Sequence, residues 1–93
     1  MLTEARQKQI HSECNYNKEK LADVQLCGCF YCLEIYSPNE ISEWIDNNEK
    51  TALCAKCGID SVIPSNVDKN FGVELLKELH EYWFGKKLYA QDH

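Results

Sequence analysis

The sequence predicts an α+β fold: a small domain with a short β-hairpin and three to four helices. Three observations carry that expectation. Two C-x-x-C pairs, Cys29–Cys32 and Cys54–Cys57, are separated by the 21 residues from 33 to 53. A helix-start signal, Ser37-Pro38-Asn39-Glu40, lies between them. Beyond them, residues 71–84 repeat apolar side chains at helical spacing. At 93 residues the chain is expected to form one domain, with its core at 26–63 and a closing helix at 71–84.

Taken in order, residues 2–23 read as helical in two pieces. Leu2, Ile10 and Cys14 form a thin apolar stripe, and Asn15-Tyr16-Asn17 reads as a break. Asn17 is placed to cap a second short helix at Lys18–Asp23. After the first cysteine cluster, Leu33–Tyr36 alternates in the manner of a strand. Ser37 then suits a helix N-cap, Pro38 the first helical position and Glu40 the return arm of a capping box. Tyr36 and Ile41 have staple spacing, and Ile41, Trp44 and Ile45 predict a buried helical face ending near Asp46–Asn48. Thr51–Leu53 and Ile59–Ile63 flank the second pair as the two arms of a predicted hairpin, with the cysteines at its tip. In the last helix Phe71, Leu75, Leu79, Tyr82 and Trp83 share a face widened by Leu76. Asn70 reads as its N-cap and Gly85 as its stop. The tail from Lys86 to His93 reads as loosely held.

The cysteines carry the chemistry. A two-residue gap lets both sulfurs of a tight turn converge on one ion, and four thiolates suit Zn²⁺ in a closed tetrahedron. Cys29, Cys32, Cys54 and Cys57 are the expected metal ligands of a small zinc-binding domain, with iron as the chemical rival. Such a site is structural, contributing on the order of 10 kcal/mol to folding. Near this chain length a hydrophobic core alone gives limited stability, so the supplement is apt. The first cluster, Cys27-Gly28-Cys29-Phe30-Tyr31-Cys32, has one cysteine too many. Cys29 and Cys32 repeat the spacing of the second pair, which leaves Cys27 as a packed cysteine or a redox-active neighbour. Cys14 reads as a small buried residue. His80 reads as a histidine at the core edge. Its rival roles are a spare ligand or, with Asp60 or Ser61, part of a small hydrolase site. His11 and His93 carry no signal.

Charge narrows the partners. The net charge is −5, and residues 26–64 hold six acidic and two basic side chains. A nucleic-acid reader concentrates lysine and arginine at its site, so nucleic acid is disfavoured and a protein partner expected. No apolar run is long enough for a membrane span. The opening MLTEARQKQIHSEC lacks the apolar core of a secretion signal, which makes the cytoplasm the expected compartment. Reduced cysteines there bind metal more often than they pair; the rival is a secreted domain with three disulfides.

The segments CGCFYC, SPNEISEW and TALCAKCGIDSVI, with an echo in Leu76, His80 and Trp83-Phe84, resemble a family of small bacterial proteins described only as uncharacterised and cytoplasmic. Members commonly carry proline inside the second C-x-x-C turn, where this chain has Ala55. The resemblance implies a cytoplasmic, zinc-binding protein, bacterial or phage-encoded, and transfers no activity. The implied architecture is similar to zinc-ribbon or treble-clef domains, an analogy of fold alone. The leading expectation is a non-enzymatic, zinc-stabilised interaction module. A redox- or metal-responsive regulator using Cys27 and Cys14 comes second, and a hydrolase using His80 third.

Overall fold

The computed structural model describes residues 2–85. It is a mixed α+β structure, as the sequence predicts. The elements are α1 (Glu4–His11), α2 (Lys18–Ala22), β1 (Cys27–Cys29), β2 (Ile35–Tyr36), β3 (Trp44–Ile45), β4 (Thr51–Ala52), β5 (Val62–Pro64) and α3 (Val73–Phe84). The expected tail from Lys86 lies outside the described residues.

A three-stranded antiparallel sheet, in the order β2-β1-β5, forms the centre. Cys27 faces Tyr36 on one side and Pro64 on the other, and Cys29 faces Val62. Successive strand residues point to opposite faces. Cys27, Cys29 and Val62 therefore enter one core cluster, with Leu21, Tyr36, Ile41, Ala52 and Cys54. Ile63 enters the other, with Ile10, Cys14, Phe30, Leu75, Leu76 and Leu79. Cysteine chemistry sits on one face of the sheet and α3 on the other.

Gly28 shows why α3 can come so close. A Cβ there would lie 2.9 Å from both Leu76 Cδ1 and Phe71 Cζ. Leu76 of the helix and Phe71 just before it occupy the space that a side chain at position 28 would fill.

The N-terminal segment breaks where expected, with α1, a 3₁₀ turn at Ser12–Cys14 and then α2. Thr3 caps α1 by accepting from the Arg6 N–H at 3.1 Å. Asn17, however, is not the side-chain cap the sequence suggests. It is fully buried, and its amide donates to Val62 O at 2.8 Å and Glu13 O at 3.1 Å while accepting from Ala52 N at 3.2 Å. One side chain thus joins α2, β4 and β5.

Two expectations fail between the cysteine pairs and beyond. The helix predicted after Ser37 is a single 3₁₀ turn, Pro38–Glu40. Ser37 Oγ does cap it, accepting from Asn39 N at 3.2 Å, but Glu40 pairs with Lys56 at 2.8 Å and does not complete a capping box. The chain then extends into β3, which pairs with β4: Trp44 opposite Ala52 and Ile45 opposite Thr51. Ile41 is buried, Trp44 half-buried and Ile45 exposed, so the three do not share a buried helical face. The predicted hairpin around the second cysteine pair also fails, because β4 pairs with β3 and β5 with β1. The cysteine-tipped hairpin belongs instead to the first pair, between β1 and β2.

Helix α3 starts at Val73 behind Gly72, with no side-chain cap from Asn70, and stops at Gly85, whose φ of 78° is left-handed. Leu75, Leu76, Leu79 and His80 are its buried residues. Tyr82, expected inside, is exposed and donates to Glu4 Oε2 at 2.9 Å.

Candidate metal centre

Each C-x-x-C pair sits in a tight turn, and the two turns are built alike. Cys29 N donates to Glu34 O at 3.0 Å, and Cys54 N donates to Ile59 O at 2.9 Å. Leu33 N returns to Cys29 O at 2.8 Å, and Gly58 N to Cys54 O at 2.9 Å. The fourth residue after the leading cysteine is left-handed in both: Leu33 with φ 69° and Gly58 with φ 81°. Glycine takes that angle without strain. Leucine meets a steric cost there and returns packing against the α3 core cluster.

The turns present their sulfurs to one another. The sulfurs of Cys29, Cys32, Cys54 and Cys57 all lie within 4.8 Å of one another. Cys29 Sγ is 3.6 Å from Cys57 Sγ, and Cys32 Sγ is 3.7 Å from Cys54 Sγ. Cys29 and Cys54 are buried; Cys32 and Cys57 are half-buried. This is a donor set for a metal ion, closed by its own four members. None of the cysteines is in a disulfide.

Hydrogen bonds converge on the leading sulfurs. Cys29 Sγ accepts from Tyr31 N at 3.3 Å and Cys32 N at 3.4 Å. Cys54 Sγ accepts from Lys56 N at 3.3 Å and from the Tyr36 hydroxyl at 3.2 Å. Burial raises the Cys54 pKa, but the Tyr36 hydroxyl and the N–H groups of Lys56 and Cys57 outweigh it and bring the thiol down to about 7. Burial pushes Cys57 up to about 11 and drives Cys32 upward as well. Without a cation the cluster therefore favours a thiolate at Cys54 and resists one at Cys32 and at Cys57. A divalent ion offsets that cost of burying charge, which is the sense in which the residues fit a metal.

The helix α3 holds the first turn from behind. Phe30 is buried in the α3 core cluster, and its carbonyl lies 3.0 Å from His80 Nδ1. A carbonyl oxygen only accepts, so Nδ1 carries the proton. Tyr31 packs edge-on to Phe84, with ring centroids 5.0 Å apart.

The other candidates scatter. Cys27 is fully buried outside the four, its sulfur 3.4 Å from Tyr36 O, and burial raises its pKa to about 12. Cys14 is buried in the opposite core cluster, where burial raises it to about 11. Ser61 and His80 take separate partners: the Ser61 hydroxyl lies 3.0 Å from Cys29 Sγ, while His80 bonds the Phe30 carbonyl. The cleft beside His80, about 340 Å³, is lined by Leu33, Lys77 and Glu81, and by neither Asp60 nor Ser61. His11, silent in the sequence, stacks on Trp83 with centroids 3.8 Å apart.

The long-range bonds of Asn17, and those of Tyr36 and Ser61 to the cysteine cluster, are not legible in the sequence. They join residues 18 to 45 positions apart in the chain. No helix is long and apolar enough to cross a membrane among the described residues. Comparisons with family models, curated proteins and solved structures find no match.

Proposed function

We propose that Cys29, Cys32, Cys54 and Cys57 hold Zn²⁺, and that the chain is a non-enzymatic, zinc-stabilised module that binds a protein partner. The observation that carries the metal reading is the sulfur spacing. Tetrahedral Zn–S bonds of about 2.3 Å put neighbouring sulfurs about 3.8 Å apart. Two cross-turn pairs of the cluster lie at 3.6 and 3.7 Å, and all four sulfurs lie within 4.8 Å of one another. Bound there, the ion cross-links two turns that the sequence keeps far apart. The chain's part is to deliver four sulfurs and fill every coordination position, which leaves none for a substrate.

The second turn leads into β5 and does not open a helix, which favours a zinc-ribbon description over a treble clef. The partner reading rests on the closed donor set and the net charge of −5. The resemblance adds a bacterial or phage-encoded protein working in the cytoplasm. A redox regulator stands second, since Cys27 and Cys14 are both buried away from oxidants.

Metal content of the untagged protein tests the first half. One zinc per chain is expected; iron in its place corrects the ion, and no metal overturns the reading. For the second half, the metal-loaded chain is used as bait in lysate. Repeated recovery of one defined protein supports a protein partner. Recovery of nucleic acid with no protein overturns it.

A further inference from the structure

The two turns exchange hydroxyl groups. Tyr36 follows the first turn on β2, yet its hydroxyl donates to Cys54 Sγ of the second turn at 3.2 Å. That oxygen is itself fixed by the Ala55 N–H at 2.9 Å. Ser61 follows the second turn, yet its hydroxyl lies 3.0 Å from Cys29 Sγ of the first. Against a thiolate, which has no proton to give, the hydroxyl is the donor. Both residues are buried, with Tyr36 5% and Ser61 3% exposed, so water does not compete for either bond. The arrangement is reciprocal. The leading sulfur of each turn accepts backbone N–H groups from its own turn and one hydroxyl from the residues that follow the other.

We propose that Tyr36 and Ser61 are positioning residues of the metal centre. Their crossed hydroxyl bonds fix the two turns against each other and withdraw charge from the Cys29 and Cys54 sulfurs when a metal is bound. Donors of this kind orient ligands and tune the electron density they give the ion. The inference rests on the metal reading above, and it makes the four sulfurs unequal. Cys29 and Cys54 are the buried, hydroxyl-bonded anchors. Cys32 and Cys57 are the more exposed pair.

The test loads Co²⁺ into the wild-type protein, Tyr36→Phe, Ser61→Ala and the double variant. Each substitution removes a hydroxyl and leaves the remaining side chain to pack. The sulfur-to-cobalt charge-transfer band is expected to move to lower energy in each single variant and further in the double, with the tetrahedral d–d bands retained. Competition against a chromophoric chelator is expected to show metal affinity 10- to 100-fold weaker per hydroxyl. A merely structural role would weaken affinity without moving the band. A measurement without substitutions stands beside these. In wild-type protein loaded with ¹¹³Cd²⁺, the Tyr36 hydroxyl proton is expected to couple to the metal through Cys54 Sγ. Unmoved charge-transfer bands in the variants, or no coupling in the wild type, would overturn the proposal and leave the metal reading standing. A wild-type protein without a four-thiolate cobalt spectrum would overturn both.

Discussion

Among single residues, Asn17 departs furthest from its apparent role. Its sequence context reads as a helix cap, while the folded chain buries it between Val62 O and Ala52 N. Removing the amide strands a buried acceptor and a buried donor. Asn17→Ala is expected to lose about 3 kcal/mol, read as a lowered denaturant midpoint at unchanged slope. Asn17→Asp should not rescue it, because a carboxylate cannot donate to Val62 O. Cys27 and Cys29 make the second test at this scale. They are two positions apart, yet only Cys29 belongs to the four-sulfur cluster. Cys29→Ser is expected to lose metal and Cys27→Ser to keep it. The reverse pattern would reassign the ligands. Both distinctions lie beyond local sequence: a buried amide and a spare thiol are defined by atoms that other segments bring.

At the level of elements, the 37–52 segment explains where pattern reading fails. Ile41, Trp44 and Ile45 have helical spacing, and Ser37 caps a turn as expected. The helix does not propagate because Trp44 and Ile45 pair with β4, and Leu53 N donates to Glu43 O at 2.9 Å. Asp46, Asn48 and Glu49 then turn the chain with positive φ angles of 72°, 64° and 56°. Three apolar residues cannot distinguish a short helix from a strand that twists out of a core. Ser37→Ala is therefore expected to cost about 0.5 kcal/mol, the low end for a cap, with no change in far-ultraviolet circular dichroism. A loss of helical signal would restore the helix. The packing of α3 on β1 is the other element-level test. Gly28→Ala is expected to cost about 1–3 kcal/mol, because the new methyl meets Leu76 and Phe71. Combined with Leu76→Ala it should cost less than the sum, since the second change vacates the contested space.

At the scale of the whole molecule, two core clusters share one sheet, and the four-sulfur cluster belongs to only one of them. Chelation is expected to abolish cooperative unfolding around the cysteine turns, read as lost amide protection at Cys29, Cys54 and Tyr36. Acid has a second route through His11. Burial lowers its pKa from 6.5, with Asp60 opposing. The unfolded chain then takes up the proton first as pH falls. The stability due to neutral His11 is complete above 6.5 and lost as pH drops from there toward the lower folded value. Acid would also release a metal held by the four sulfurs by protonating them, so the measurement is the difference between wild type and His11→Phe. The variant is expected to flatten the pH dependence below 6.5. An unchanged profile would mean that burial does not disfavour the charged His11 ring.

The sequence by itself determined the α+β class, the break at residues 15–17, the helix ending at Gly85 and the two cysteine turns. Each is a local matter, set by spacing, turn chemistry and periodicity within a dozen residues. Only the tertiary structure decided which strands pair, that Asn17 is a buried bracket, that Gly28 admits α3, and that Tyr36 and Ser61 reach across to each other's cysteines. Those outcomes depend on burial and hydrogen bonding between segments distant in the chain. A buried polar group must find its partner wherever the fold has brought one, and local spacing carries no record of where that is.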